Sequence, residues 1–369
     1  MKHQITLVGG QLLPVFIGIK EFNPDRVYFI VSNESKGGLP QLKSVIKGIS
    51  FSEHSCNAYD FTSVKNTCEK ILDKIDPNEE VSFNLTGGTK VMVLAIQSII
   101  HDRSLPGFYI NQDNTFWELP NYTKKAVSYH VTTKEFLEIT GHSHYLAKTL
   151  QDFDQQDLKI AREIERYASN GKNYSAVTSY FRKHYQDQAI PVSGNKNISN
   201  DVSCIWDATK VEIFVKTRRT QSFKSTNVRD LFFYAGWWEL LVAEAISKWA
   251  KAKEILVKFE LPFKHSQLTK KNEIDILINL NNKLIFVECK SGNVKQEDIN
   301  KMKVIKQTYG GLISKSILVS RYMPSPTIIE KCKELEIEVF FMFGFKNQPG
   351  NSFQKLITKL NQLEKRNSL

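Results

Sequence analysis

The chain has 369 residues, 50 Lys and Arg against 39 Asp and Glu, and 41% hydrophobic residues, for a net charge of +11 and a pI near 9.2. That length supports two or three domains with full cores, and the basic balance suits a phosphate-rich partner. No apolar run reaches the roughly eighteen residues of a spanning helix, a strand begins almost at Met1 with no room for a signal peptide, and five scattered cysteines (Cys56, Cys68, Cys204, Cys289, Cys332) form no C-x-x-C pair. The expectation is a cytoplasmic protein with free thiols, no membrane contact and no zinc site.

Residues 1–117 alternate strand and helix. "QITLVGG" is a strand meeting glycines, "LLPVFIGIKEF" a short helix and "RVYFIVS" a buried strand. "QLKSVIKGI" and "TSVKNTCEKILDKI" read as helices, "VSFNLTGG" as a strand, "TKVMVLAIQSIIHD" as a helix and "GFYIN" as a closing strand. Near-continuous apolar strands separated by helices predict a parallel, doubly wound sheet. Ligands of such sheets sit at strand carboxyl ends. Two of these ends suit phosphate or nucleobase contacts: Gly9-Gly10-Gln11, and Thr86-Gly87-Gly88-Thr89-Lys90. In the second, the glycines admit a close backbone and the next helix presents free N–H groups. Thr86 and Thr89 add hydroxyls and Lys90 a cation. Neither loop has P-loop or dinucleotide spacing, and composition alone fits an ordinary strand-to-helix turn equally well.

Residues 133–186 are polar and helical, and 189–203 cluster Pro, Gly, Ser and Asn, which predicts a helical connector. "CIWDATKVEIFVK" (204–216) reads as a hairpin feeding a C-terminal sheet, and 229–250 as one helix. After a hairpin at 273–290, "QEDINKMKVIKQTYGG" is a helix, "KSILVS" and "EVFFMF" are buried strands, and a basic helix closes the chain. The resulting division is 1–132, 133–203 and 204–369. Basic residues gather around the 229–250 helix: Lys216, Arg218, Arg219, Lys224 and Arg229 before it, then Lys251, Lys253, Lys258, Lys264, Lys270 and Lys271. Phe223, Phe232 and Phe263 interleave with them, a pattern suited to tracking a nucleic-acid backbone with base stacking.

The hairpin "EIDILINLNNKLIFVECK" carries acids inside both strands. A turn at Asn281-Asn282 pairs Leu280 with Lys283 and so sets Asp275 directly across from Glu288. Alternation puts Leu284, Phe286, Glu288 and Lys290 on the same face as Asp275. Facing carboxylates repel. Either a divalent cation compensates, or Lys290 and Lys283 balance the acids on an exposed face. Glu239 shares the apolar stripe of the 229–250 helix, where an acid is costly unless it is paired or metal-bound.

Helix Glu239, strand-end Asp275 and the pair Glu288-x-Lys290 resemble the PD-(D/E)XK nuclease superfamily of restriction endonucleases, although Ile274 replaces the proline. The resemblance implies a Mn2+ or Mg2+ site made by Asp275, Glu288 and the backbone carbonyl of Cys289. Lys290 would then orient the attacking water or offset developing charge, with Glu239 as an outer-shell or second-metal acid. "NLTGGTKVM" is similar to the signature of the CARF domain, a Rossmann-fold sensor of CRISPR systems. That resemblance spans about residues 1–120. It implies a homodimer binding cyclic tetra-adenylate through Gly9, Gly10, Gln11, Ser32, Asn33 and the 86–90 loop. Together the two resemblances imply an α/β chain with a parallel-sheet CARF domain and a C-terminal restriction-endonuclease-like domain. Its activity would be an activator-gated nuclease on DNA or RNA, single strands above all. A nucleotide-sensing DNA-binding regulator and a constitutive restriction-type endonuclease are the rival readings.

Overall fold

A computed structural model describes residues 1–142, 145–169, 171–186, 188–262, 271–281, 283–311, 313–344 and 350–365. The chain divides into two compact units, Met1–Ser143 with Asn281–Lys283, and His144–Leu280 with Leu284–Leu369.

The first unit runs β1 (Lys2–Leu7), α1 (Leu12–Phe22), β2 (Arg26–Val31), α2 (Leu39–Val45), β3 (Ser50–Ser55), α3 (Phe61–Leu72), β4 (Glu80–Asn84), α4 (Lys90–Arg103), β5 (Gly107–Ile110), β6 (Thr115–Leu119), β7 (Thr123–Ala126) and α5 (Thr133–Ile139). Its sheet order is β3-β2-β1-β4-β5-β6-β7. The first five strands are parallel, as the apolar runs of β1, β2, β4 and β5 predict, and β6 and β7 add antiparallel at one edge. Helices start where side chains satisfy free N–H groups. Asp60 accepts from Thr62 and Ser63, and Thr89 accepts from Met92. Strand order reverses between β1 and β4, which makes the two glycine loops neighbours at the switch point. Residues 111–114 form a turn leading into β6.

The second unit runs β8 (Leu146–Thr149), α6 (Gln155–Ser169), α7 (Lys172–His184), β9 (Gly194–Asn197), β10 (Val202–Trp206), β11 (Lys210–Val215), β12 (Arg218–Lys224), α8 (Val228–Phe233), α9 (Gly236–Ser247), β13 (Glu254–Pro262), β14 (Lys271–Asn279), β15 (Leu284–Lys290), α10 (Gln296–Tyr309), β16 (Lys315–Tyr322), α11 (Pro326–Glu334), β17 (Ile337–Phe343) and α12 (Phe353–Lys365). A six-stranded sheet has the order β17-β16-β15-β14-β13-β8, with β15, β16 and β17 parallel. The 204–216 hairpin does not feed that sheet. It belongs to a separate antiparallel sheet, β12-β11-β10-β9, whose last strand lies within the segment expected as loop. The stretch expected as a connector is shared: α5 falls in the first unit, and α6 and α7 in the second. Ile160, Ala161 and Ile164 of α6 and Phe181 of α7 are buried in one core with α9 and the sheet residues Ile276, Ile285 and Val287. Their burial is why these helices are part of the fold rather than a spacer. No described helix is long and apolar enough to cross a membrane.

Candidate active site

The β14–β15 ladder pairs Asn279 with Leu284 and continues to Ile276 with Val287, so the next position outward sets Asp275 opposite Glu288, as the turn geometry predicts. Asn281 takes the left-handed conformation expected of the turn, with φ at 83°, while Asn282 lies outside the described residues. At the acids the strands stop exchanging backbone bonds. Cys289 N–H donates instead to Asp275 Oδ2 at 2.6 Å. Glu288 is 5% exposed, which removes the reading of a solvated, lysine-balanced face. Lys290 Nζ lies 2.8 Å from Glu288 Oε1 and 3.0 Å from Asp298 Oδ1 in the first turn of α10. Lys283 stands at the turn end of the hairpin, away from this cluster.

The single helix expected over 229–250 is two, α8 and α9, broken at Tyr234–Ala235, with Ala235 at φ 60°. Gly236 lies against the end of α8: a Cβ there would stand 3.1 Å from the Asp230 carbonyl oxygen. The break puts Glu239 in the first turn of α9, where unpaired N–H groups and the helix dipole favour an anion. Trp238 fixes α9 on the sheet by donating from Nε1 to Val319 O at 3.1 Å, and Trp237 donates to Tyr174 Oη at 2.8 Å. Glu239 Oε2 and Asp230 Oδ2 are buried without a hydrogen-bond partner.

Lys258 completes the cluster, a residue that sequence reading left among the surface cations. It donates to Asp230 Oδ1. It sits on β13 at φ 53°, at the step the β13–β14 ladder skips between Val257–Ile276 and Phe259–Ile274, which is the position opposite Asp275. The sequence signal was a lysine between Val257 and Phe259 in an apolar strand. The electrostatics show how the groups converge. Burial pushes Glu239 up to about 7 despite Lys258, with Asp230, Glu273 and Glu288 adding to the rise. Burial, then Glu288 and Glu239, raise Asp275 well above the carboxylate range. Burial alone would lower Lys258, but Glu239 and Asp230 hold it above its ordinary value. Lys290 is likewise held up by Glu288 against burial. Among the described residues no three His, Cys, Asp or Glu side chains form a group able to hold a metal ion by themselves. The donor set on offer is two facing carboxylates and the Cys289 carbonyl, with unpartnered oxygens of Glu239 and Asp230 beside them. All are oxygens, which suits a hard cation.

The interleaved aromatics are not at a surface groove: Phe223 and Phe232 lie in the core. Arg229 donates to the carbonyls of Ile190 and Pro191. Phe263, Lys264 and Lys270, and the side chain of Lys271, lie outside the described residues.

In the first unit a cavity of about 180 Å³ opens at the carboxyl ends of β1, β2 and β4. Gly9, Gly10, Ser32, Gly88 and Thr89 line it together with Val8, Glu34, Ser35, Tyr59 and Met92. The two loops touch backbone to backbone. A Cβ on Gly87 would lie 2.2 Å from Leu7 O, and one on Gly9 2.6 Å from Gly88 N. The threonine hydroxyls build the loop: Thr86 Oγ1 accepts from Ile110 N–H at 3.0 Å, and Thr89 Oγ1 donates to Ala58 O at 2.5 Å. Gln11, Asn33 and Lys90 are exposed around these loops, while Gly87 is buried beneath them. Glu34 and Tyr59 went unread. Tyr59 follows β3, a polar strand that the sequence pattern does not announce.

Residues 4–136 match the family model of the Card1 CARF domain, and residues 226–342 that of the Card1-like endonuclease domain. The chain is therefore a CARF domain joined to an endonuclease domain. Within that class each of the two domains is similar to its counterpart in Card1. No curated protein matches the sequence. Among solved structures, Can2 from Sulfobacillus thermosulfidooxidans in complex with cyclic tetra-adenylate is similar at 18% identity and a TM-score of 0.70, over 99% of this chain and 100% of that one. Protein VC1899 from Vibrio cholerae is similar at 16% identity and a TM-score of 0.72, over 99% and 98%. A type III CRISPR defence DNA nuclease activated by cyclic oligoadenylate is similar at 16% identity and a TM-score of 0.60, over 100% of this chain and 53% of that one. At these identities the likeness is one of fold.

Proposed function

We propose that this protein is a homodimeric, metal-dependent nuclease of type III CRISPR defence, switched on by cyclic tetra-adenylate and cutting DNA or RNA, single strands in preference. The observation that carries the reading is the Asp275–Glu288 juxtaposition, with Glu288 buried and Asp275 half-buried, beside an unpartnered Glu239 oxygen. Uncompensated buried acids cost stability unless a cation joins them. Asp275, Glu288 and the Cys289 carbonyl would hold Mn2+ or Mg2+, with Glu239 alongside. Bound there, the metal supplies a water of lowered pKa and polarises a phosphate oxygen. Lys290, held as ammonium by Glu288 and Asp298, orients that water or meets the charge growing on the phosphate.

The glycine loops of β1 and β4 with Ser32, Asn33 and Lys90 form the activator site in this reading. Glu34, an acceptor in the cavity lining, favours an amine-bearing base edge over a phosphate. The cyclic tetra-adenylate in complex with Can2 and the cyclic oligoadenylate that activates the type III nuclease motivate the choice of activator. Gating requires that the activator bind the active arrangement better than the idle one.

One assay tests the reading: labelled single- and double-stranded DNA and RNA, with Mn2+ or Mg2+, with and without cyclic tetra-adenylate. Cutting should need both metal and activator. Glu288→Ala should abolish it while activator affinity is kept. Cutting without the nucleotide would mean a constitutive enzyme, and no cutting at all a binding regulator.

A further inference from the structure

Tyr322 and Phe343 end the parallel strands β16 and β17 as register partners. They are 45% and 40% exposed, with ring centroids 6.0 Å apart at 40°. Beneath them lies Arg321, 3% exposed, its guanidinium carbon 5.0 Å from the Tyr322 centroid and 5.7 Å from that of Phe343. Arg321 donates to Ser169 Oγ at 2.6 Å and Glu165 O at 3.3 Å, and no carboxylate pairs with it among the described residues. An arginine without an acid keeps its positive potential, and here the buried Trp237 ring, 5.2 Å away, shares it with the two solvent-facing rings.

The place of this pair in the sheet points to its use. Lys290 and Ser320 are neighbours across β15–β16. Tyr322 is two residues further along, at the end of the strand, with its ring against the Arg321 guanidinium. At roughly 3.3 Å per residue and about 4.8 Å between strands, its Cα stands about 8 Å from that of Lys290. A base attached to a phosphate at Lys290 can reach the rings from there. Bases of a single strand have free π-faces, and aromatic stacking with a nearby Arg binds them whatever their sequence. In a duplex those faces are already occupied by neighbouring base pairs.

Resting on the nuclease reading above, we propose that Tyr322 and Phe343, over Arg321, form a base-stacking subsite that makes the enzyme select unpaired strands. The full-length protein with metal and activator is assayed on a short single strand, the same strand with abasic residues, and its duplex. Tyr322→Ala, Tyr322→Leu and Phe343→Ala should raise KM for the single strand about tenfold, the loss of one base stack. They should leave kcat, the duplex and the abasic strand within about twofold, and Tyr322→Trp should restore KM. Separately, in EDTA, the parent should quench 2-aminopurine in a single strand and the alanine variants should not. Unchanged KM and quenching in the variants, or equal losses on single strand and duplex, overturn the subsite. A parent that quenches through these rings but never cuts keeps the subsite and overturns the nuclease reading.

Discussion

Lys258 shows how one side chain can hold a group of acids in order. Its ammonium bonds Asp230 and, through its charge, keeps the Glu239 carboxyl lower than burial alone would. Lys258→Ala should leave two half-buried acids, each with one buried oxygen, without their cation, at a cost of about 2 kcal/mol. It should also push Glu239 further up, so the acid limb of the pH–rate profile should move to higher pH. Lys258→Arg should partly restore the limb. Denaturant melts with pH profiles check both effects, and a limb that stays in place would reduce Lys258 to a packing role. Glu239, Asp275, Glu288 and Lys290, the residues proposed to carry the chemistry, stood out in the sequence because each breaks an apolar pattern. Lys258 also interrupts an apolar stretch, but in a basic chain that signal does not single it out until the strand's neighbours are known.

Elements were legible where hydrophobic period and turn chemistry agree. The β14–β15 register followed from the turn, because one buried face forbids slippage. The α8–α9 break did not, since its residues are apolar on both sides and the cause is backbone contact between Gly236 and Asp230. β3 alternates exposed and half-buried side chains, so no apolar run marked it. The glycine loops allow a sharp comparison. Gly10 faces open space, whereas a Cβ on Gly87 would strike Leu7 O at 2.2 Å. Gly10→Ala should leave the melting temperature unchanged. Gly87→Ala should force the β1 and β4 loops apart, lowering stability by about 3 kcal/mol and weakening activator binding at least tenfold. Thermal melts and activator titration measure both. Equal behaviour of the two variants would mean that the loops do not rely on this contact.

For the whole molecule, the acid cluster makes stability depend on pH. Glu239 moves from an ordinary 4.5 to about 7 in the native state, and Asp275 moves the same way. Between those values the folded protein binds more protons than the unfolded chain, so stability falls as pH rises through that window. In EDTA the melting temperature should therefore drop between about pH 4.5 and about pH 7. Mn2+ should restore it most at the upper end, where the carboxylates are free of protons. Glu239→Gln should flatten the slope, and a metal-free protein with a constant melting temperature across the window would contradict the assignment.

From its order of residues alone this chain specified a parallel sheet with glycine loops at strand ends, a hairpin that opposes two acids, and a helix acid to join them. These are local: period, turn type and alternation act within a few residues. Tertiary structure decided the rest. It drew α6 and α7 into the second unit, buried Phe223 and Phe232, which were expected at a groove, broke the helix that aims Glu239, and brought Lys258 to the acids. Each of those outcomes depends on which surfaces meet across long sequence distances, and apolar burial acts on area without regard to position along the chain.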